Sequence, residues 1–396
     1  MNVYADNAAT TKTSKTAIAA MLPYFDEIYG NPSSLHTAGQ RAAEALESAR
    51  ETIAGVLNCT PREITFTSGG SEADNQAIVS AAKIGERKGK KHIISTAFEH
   101  HAVLHTLKAL QKQGFDIELL PVGDKGFVSA QQVADAITDK TCLVSVMYAN
   151  NEIGTIQPIA EIGKICREKG VLFHTDAVQA AGHLHIDVQQ QNIDMLSLSA
   201  HKFHGAKGAG VLYARKGIAL SNIIEDGAQE RGKRAGTENL PAIVAMAAAL
   251  KEADDDLTKN SSYVSAMRDR LIEGLEKIPH SILNGTKDNR LPGNVSFCFE
   301  GIEGESLLLL LDSKGISASS GSACTSGSLD PSHVLLSIGR PHEVAHGSLR
   351  LSLSSYNTPE QIEYILKEVP PIVNYLREMS PLWLDKISGK KEFFIK

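Results

Sequence analysis

The sequence lacks the features that mark membrane, secreted and nucleic-acid-binding proteins. No apolar run approaches the ~18 residues that cross a bilayer, so we expect no spanning helix and no membrane partner. The first residues carry neither a basic region nor a long apolar region, so we expect no secretory signal. The net charge of −6 over 396 residues is modest, and no basic run suggests direct contact with nucleic acid.

Cysteine is also scarce, and the cysteines that are present are not paired. The five residues form no C-x-x-C motif and lie at positions 59, 142, 166, 298 and 324. A zinc site needs closely spaced pairs of ligands, so we expect no metal centre. An odd, unclustered set without a secretory signal indicates reduced thiols and therefore a cytoplasmic protein.

The length and the hydrophobic pattern predict an α/β protein of two domains. At 396 residues the chain exceeds the ~250–300 over which one core usually keeps growing. Short β-rich runs alternate with amphipathic helical stretches, and the runs are residues 64–67, 92–95, 117–121, 142–147, 171–175, 195–199 and 210–213. Strands separated by helices of this length predict a mainly parallel seven-stranded sheet with helices on both faces.

A charged stretch at residues 251–256 closes a predicted helix and marks the expected domain boundary. We predict that residues 15–256 form the large domain. Residues 1–14 and 257–396 are predicted to form a smaller α+β domain, which carries a serine- and glycine-rich loop at about 317–328.

Lys202 and Asp176 each follow a predicted apolar strand. Both therefore lie at the carboxyl edge of the sheet, where open α/β folds keep their ligand crevice. A lysine in that place can form a Schiff base with pyridoxal 5'-phosphate (PLP), and a carboxylate can keep the pyridine nitrogen of PLP protonated. The alternatives are a surface lysine after an edge strand and an aspartate that caps a helix.

The segment from Thr67 to Asn75 has the pattern of a phosphate-binding turn. It joins a strand through Gly69 and Gly70 to a helix that Ser71 is predicted to open, where backbone N–H groups can bind phosphate. Neither a G-x-G-x-x-G nor a G-x-x-x-x-G-K-[ST] motif is present, so a dinucleotide fold and a P-loop are not indicated. The alternative is an ordinary capped helix.

Other polar side chains follow strands at the same predicted edge. His100 could stack on a cofactor ring and transfer protons near neutral pH. Asn151 and Gln179 could hydrogen-bond a ring hydroxyl. Each of these three residues, taken alone, is equally compatible with a plain loop position.

Two features of the predicted small domain suggest a reactive group and a carboxylate site. Cys324 lies among small residues in Ser319–Ser328, where a thiol has the access that a reactive cysteine needs. Arg350, on a predicted strand, offers bidentate donors for a carboxylate. The alternatives are a linker with an incidental thiol and a surface arginine on an edge strand.

Several motifs occur in a fixed order along the chain. They are Asp176-Ala177-Val178-Gln179, Ser199-Ala200-His201-Lys202, Glu230-Arg231-Gly232-Lys233-Arg234-Ala235-Gly236-Thr237-Glu238-Asn239 and Ser319-Ser320-Gly321-Ser322-Ala323-Cys324. With segments 6–11 and 380–383 they span nearly the whole chain. The set resembles the cysteine desulfurases of the NifS/IscS group, which belong to class V of the fold-type I PLP enzymes.

The resemblance implies a homodimer that removes sulfur from L-cysteine, gives L-alanine, and leaves a persulfide on Cys324 for an acceptor such as an iron–sulfur cluster scaffold. It implies that Lys202 binds PLP and moves the substrate Cα proton, and that Arg350 and Asn151 contact the substrate. The residues that it implies around PLP are Gly70, Ser71, His100, Asn151, Asp176, Gln179, Ser199, His201 and, from the neighbouring subunit, Thr237.

Three questions stay open from the sequence. Another class V PLP enzyme, such as a selenocysteine lyase or an aminotransferase, is the alternative function, and a non-catalytic sulfur carrier is a further one. Ala228 stands where many relatives carry a glycine, which predicts a stiffer segment at the subunit interface. The end of the chain around Trp383 is either a docking site or a cover for the small domain.

Overall fold

The computed structural model describes residues 1–321 and 331–395, and it contains one large sheet. The strands of this sheet are β2 (Ile64–Thr67), β3 (His92–Thr96), β4 (Asp116–Leu120), β5 (Thr141–Ser145), β6 (Leu172–Asp176), β7 (Met195–Ser199) and β8 (Gly210–Ala214). Their bounds lie within two residues of the prediction, so the mainly parallel seven-stranded sheet is confirmed.

The order of the strands across the sheet is β2-β8-β7-β6-β5-β3-β4. β8 pairs antiparallel with both β2 and β7, and the other neighbours are parallel. Every residue of β3, β5, β7 and β8 is buried, as expected for strands covered on both faces. Of the two edge strands, β4 is mostly exposed, whereas β2 is buried.

The helices before residue 256 cover this sheet. They are α1 (Lys15–Met21), α2 (Pro23–Asp26), α3 (Thr37–Leu57), α4 (Gly70–Arg87), α5 (His101–Gln111), α6 (Ala130–Ala136), α7 (Ile159–Lys169) and α8 (Leu240–Asp255). In α3 the buried residues Ala42, Leu46, Ala49 and Ile53 recur at helical spacing and face one core. No helix in the described part of the chain is long and apolar enough to cross a membrane.

The remaining elements form smaller sheets with their own helices. A three-stranded sheet has the order β12-β10-β9, and β1 pairs parallel with β11. The strands are β1 (Val3–Tyr4), β9 (Ser281–Leu283), β10 (Asn294–Phe299), β11 (Ile316–Ser317) and β12 (Ser348–Ser352). The helices are α9 (Leu257–Leu275), α10 (Gly304–Ser313), α11 (His333–Ser337), α12 (His342–His346), α13 (Pro359–Glu378) and α14 (Pro381–Ile387). The division into two domains stays a prediction.

The C-terminal segment packs against these elements. The guanidinium carbon of Arg377 lies 4.1 Å from the centre of the Trp383 ring. This ring is also edge-on to His280. Lys386 donates to the buried Glu300 carboxylate at 2.5 Å, and Glu300 also accepts the Phe394 backbone N–H. These contacts favour the interpretation that the segment covers the small sheets.

The segment that contains Ala228 is strained two residues further on. Ala228 has an ordinary φ of −92°, so alanine introduces no backbone strain at that position. Glu230 and Arg231 instead adopt left-handed φ values of 50° and 60°. The Glu230 carboxylate accepts two hydrogen bonds from buried Arg50, at 2.7 and 2.8 Å, and this ion pair holds the strained turn in place.

Candidate active site

A cavity of about 240 Å³ lies where β6 and β7 end, and it brings together most of the predicted site residues. The predicted residues that line it are Gly70, Ser71, His100, Asn151, Asp176, Gln179, Ser199, His201, Lys202 and Arg350. Exposed Thr237 does not line it, and Cys324 lies outside the described residues. A larger cavity of about 510 Å³ elsewhere contains none of the predicted residues.

Lys202 closes a short helical turn, Ala200–Lys202, that follows β7 directly. Its Nζ atom donates to the backbone oxygens of Ala8, at 2.6 Å, and Ala9, at 2.8 Å. The amine is therefore aimed at the cavity wall that the N-terminal segment forms, rather than at solvent.

That N-terminal segment is a part of the site that the sequence reasoning missed. Ala8 O also accepts from Gln179 Nε2 at 3.0 Å, and Thr10 Oγ1 lies 3.1 Å from His201 Nδ1. Asp6 forms an ion pair with Arg350 at 3.0 Å. Two signals in the sequence pointed to it: segment 6–11 belongs to the set that carries the resemblance, and the small polar residues at 7–11 cannot build an element alone and can pack closely against other chain segments.

The phosphate end of the cavity is formed by the start of α4. This helix begins at Gly70 with Gly69 as its N-cap, so the prediction that Ser71 opens the helix is wrong by one residue. A Cβ atom on Gly70 would lie 2.5 Å from Val178 Cγ2, and glycine therefore allows the helix start to approach the turn after β6. Ser71 and Ser199 supply hydroxyls beside the free N–H groups of an 18-residue helix, which suits a phosphate.

Asp176 and His100 lie at the other end of the cavity. Burial raises the pKa of Asp176, while His100 and Lys202 oppose that rise. The Asp176 carboxylate also accepts the Val178 N–H at 2.9 Å, which fixes its direction. Burial lowers the pKa of His100. The positive charge of Lys202 lowers it further, whereas the negative charge of Asp176 raises it. His100 Nδ1 accepts the Ala102 N–H at 3.1 Å, so the neutral ring carries its proton on Nε2.

A group of buried polar side chains lies behind Asp176, and the sequence reasoning did not identify it. Burial and the proximity of Asp176 raise the pKa of Asp74. Burial raises the pKa of Glu99 to about 8, and it lowers that of His174 to about 3. Glu99 and His174 are therefore mainly neutral at pH 7, and the proximity of Asp176 makes ionisation of Asp74 less favourable.

Arg350 is buried on β12 and reaches the cavity from the small sheet. Besides the ion pair with Asp6, its Nη1 donates to Asn151 O at 3.2 Å. Its buried Nε has no hydrogen-bond partner among residues 1–321 and 331–395. A guanidinium that is held in place and keeps an N–H without a partner in the described part of the chain is suited to bind an additional carboxylate.

The four cysteines that the structure describes are free thiols. Burial raises the pKa of Cys59 and Cys166 to about 12, and that of Cys142 and Cys298 to about 11. None of these four forms a thiolate near neutral pH, so none is suited to act as a nucleophile.

The functional groups that line the cavity match the functional groups of PLP. It offers an amine for the aldehyde, a carboxylate for the ring nitrogen and an imidazole for the ring face. Gly70 allows the start of α4 to approach the turn after β6. This helix start, with the hydroxyls of Ser71 and Ser199 beside it, suits the phosphate.

Comparisons with known proteins agree with this chemistry. The family model described as aminotransferase class-V matches residues 3–365. The chain is 55% identical over 393 residues to cysteine desulfurase IscS of Clostridium botulinum, which covers 98% of this chain and 99% of the relative. It is 46% identical over 384 residues to cysteine desulfurase NifS of Azotobacter vinelandii, covering 96% of this chain and 95% of that protein. A solved NifS-like protein superimposes with a TM-score of 0.89 at 38% identity, covering 95% of this chain and all of the other.

Proposed function

We propose how the active-site residues share the reaction, from the premise that this chain belongs to the aminotransferase class-V family and is a cysteine desulfurase. Members of this family generally depend on PLP, and we propose PLP as the cofactor here. The observation that carries the proposal is one cavity that contains Lys202, Asp176 and Arg350 together with the start of α4.

Each group at the cavity would hold one part of the cofactor. Lys202 would bind PLP covalently through Nζ, and Asp176 would hold a proton on the pyridine nitrogen. His100 would lie against the ring, with Gln179 and Asn151 on the side of its hydroxyl. Gly70, Ser71, Ser199 and His201 would bind the phosphate, and Thr237 of the neighbouring subunit would complete that site.

Proton transfer falls to the Lys202 amine. PLP, when bound, supplies the electron sink that makes the substrate Cα–H acidic and weakens the Cβ–S bond. The free amine of Lys202 would take the Cα proton from the substrate and hold it for a later transfer. The carbonyl oxygens of Ala8 and Ala9 hold this amine in place by accepting its N–H groups. Neutral His100 does not add a positive charge beside it.

Sulfur transfer falls to Cys324, the cysteine for which the sequence indicates access. In this step the thiolate of Cys324 forms a bond to the substrate sulfur while the Cβ–S bond breaks. The electron pair of the broken bond stays with the substrate carbon, which later gains a proton and leaves as alanine. The persulfide on Cys324 then passes its outer sulfur to an acceptor.

Arg350 would bind the cysteine carboxylate, with Asn151 beside it. We predict that Arg350→Lys raises the KM for cysteine by about 10- to 100-fold, because charge-assisted hydrogen bonds contribute about 1.5–3 kcal/mol and lysine cannot replace the fork of donors. Steady-state kinetics on PLP-loaded protein measures this change. Arg270→Lys, at an exposed ion pair with Glu363, is the matched control and should keep the KM of the parent. An unchanged KM in Arg350→Lys would reject the assignment.

The proposal includes a homodimer, a cytoplasmic location and an iron–sulfur scaffold as the acceptor. The exposed position of Thr237 agrees with a role toward a second subunit, because it lies outside the lining of its own subunit's cavity. The resemblance to the NifS/IscS group supports the scaffold as acceptor.

The test of the function is incubation of the purified PLP-bound protein with cysteine and no keto acid. We expect alanine to accumulate over many turnovers when a reductant removes the sulfur. An aminotransferase would stop after one turnover per subunit for want of an amino acceptor, and a non-catalytic sulfur carrier would form no alanine. Either of these results would reject the proposed function.

A further inference from the structure

Glu152 is a buried carboxyl group next to the cavity that the proposed mechanism does not use. The residue is 7% exposed, and burial raises the pKa of its carboxyl group to about 7. The Glu152 backbone is fixed on both sides, because its N–H donates to Asn150 Oδ1 at 2.8 Å and its oxygen accepts from Asn294 Nδ2 at 3.2 Å. An ionisable carboxyl group is costly to bury unless it is hydrogen-bonded or paired, so the partners of this carboxyl group indicate what it does.

The Glu152 carboxyl group is hydrogen-bonded to Ser332 on one flank of residues 322–330 and lies close to Gly321 on the other. Ser332 Oγ donates to Glu152 Oε2, and Ser332 Oγ itself accepts the N–H groups of Val334 and Leu335 at the start of α11. On the other side, a Cβ atom built on Gly321 would lie 2.9 Å from Glu152 Oε2 and 2.9 Å from Ser332 Cβ. One carboxylate therefore lies between Gly321 and Ser332, close to both ends of the described chain around residues 322–330.

The same junction is connected to the substrate-binding groups. Arg350 exchanges two backbone hydrogen bonds with Ser319, at 2.6 and 3.1 Å, and its guanidinium donates to the backbone oxygen of Asn151, the neighbour of Glu152. Gly321 N also lies within 3.3 Å of Ser348 Oγ on β12. The flanks of residues 322–330 are thus tied to the strand that carries Arg350 and to the turn that carries Asn151.

We propose that Glu152 is a positioning residue for sulfur transfer. Its carboxylate binds Ser332 and lies close to Gly321, and it thereby holds the two flanks of residues 322–330 near the turn that bears Asn151. It thereby sets where the segment that carries Cys324 begins and ends relative to the bound cysteine. This inference rests on the proposed role of Cys324 as the sulfur acceptor.

The experiment measures single-turnover persulfide formation on Cys324 in PLP-bound Glu152→Ala and Ser332→Ala. A misplacement of a reacting group by about 1 Å costs ~10²-fold in rate, so we expect Glu152→Ala to slow the step by about that factor, with a PLP dissociation constant and a KM for cysteine within about twofold of the parent. Ser332→Ala should slow it less, because the flank keeps its other contacts. Glu168→Ala, at an exposed position of α7, is the matched control and should keep the parental rate.

A pH series separates positioning from a general structural effect. Above pH 7 the carboxylate of Glu152 accepts the Ser332 hydroxyl in a charge-assisted bond, and below pH 7 the protonated group binds it more weakly. The charged group that faces it is Arg350, which favours the ionised form. In Glu152→Gln the acceptor is neutral at every pH. The ratio of parental to Glu152→Gln rates should therefore rise through pH 7, while the titration of the Cys324 thiol cancels in this ratio.

The outcomes distinguish this inference from the proposed function. Parental persulfide rates in Glu152→Ala, or a rate ratio that does not change between pH 6 and 8, would overturn the role of Glu152 and leave the function intact. Loss of PLP or cysteine binding in parallel with the rate, in both Glu152→Ala and the milder Ser332→Ala, would also overturn it. Persulfide on another residue in the parent protein would instead reject Cys324, and with it the proposed function's nucleophile.

Discussion

Lys202→Ala should lose the visible absorbance of lysine-bound PLP and nearly all turnover of cysteine. The substitution removes both the covalent link to the cofactor and the group that moves the Cα proton. A general base alone contributes about 10²–10⁴ in rate, so we expect kcat to fall by roughly 10³-fold or more. The spectrum of purified protein after PLP addition and the rate of alanine formation measure the two effects separately.

The structure supplies a control for this experiment. Lys207 follows Lys202 on the same connection between β7 and β8, and it is exposed. Lys207→Ala should keep the absorbance and the rate of the parent. Retention of lysine-linked PLP absorbance in Lys202→Ala would show that another lysine binds the cofactor, and the assignment of the site would then be wrong.

Cys324→Ser should keep bound PLP and lose persulfide formation. Serine is a poor nucleophile toward sulfur, so we expect the rate of sulfur removal from cysteine to fall by roughly 10³-fold or more, as the loss of a nucleophile does in other enzymes. The binding of PLP should not change, because its proposed ligands are unaltered. Mass spectrometry of the protein after incubation with cysteine, without reductant, measures the persulfide directly.

Cys59→Ser is the matched control for the nucleophile. Burial raises the pKa of Cys59 to about 12, so this thiol is not a thiolate at neutral pH, and its replacement should leave persulfide formation unchanged. Full release of sulfide from cysteine by Cys324→Ser under non-reducing conditions would exclude Cys324 as the nucleophile.

The sequence was sufficient to predict the residues that follow strands. Lys202 and Asp176 stand directly after apolar runs that became β7 and β6, and parallel strands must end at the same edge of a sheet. The same reasoning placed His100 and Asn151 at the cavity. These predictions need only the spacing of apolar residues and the rule that βαβ units give parallel strands.

The parts that the sequence did not predict depend on contacts between distant segments. Asp6 forms an ion pair with Arg350, which lies 344 positions away in the chain, and no local sequence pattern indicates that pairing. The buried state of Asp74, Glu99 and Glu152 was also invisible, because acidic residues are usually exposed and burial depends on the whole fold. Strands of two or three residues, such as β1 and β9, are too short to show a period.

The most direct test of this account is a single turnover of the PLP-bound protein with cysteine labelled by radioactive sulfur, in the absence of reductant. Alanine and protein-bound sulfur are measured together, and the label is located by digestion and peptide analysis. We expect one alanine for each labelled sulfur, with the label on the peptide that contains Cys324. Alanine without protein-bound label, or label on a peptide that lacks Cys324, would contradict it.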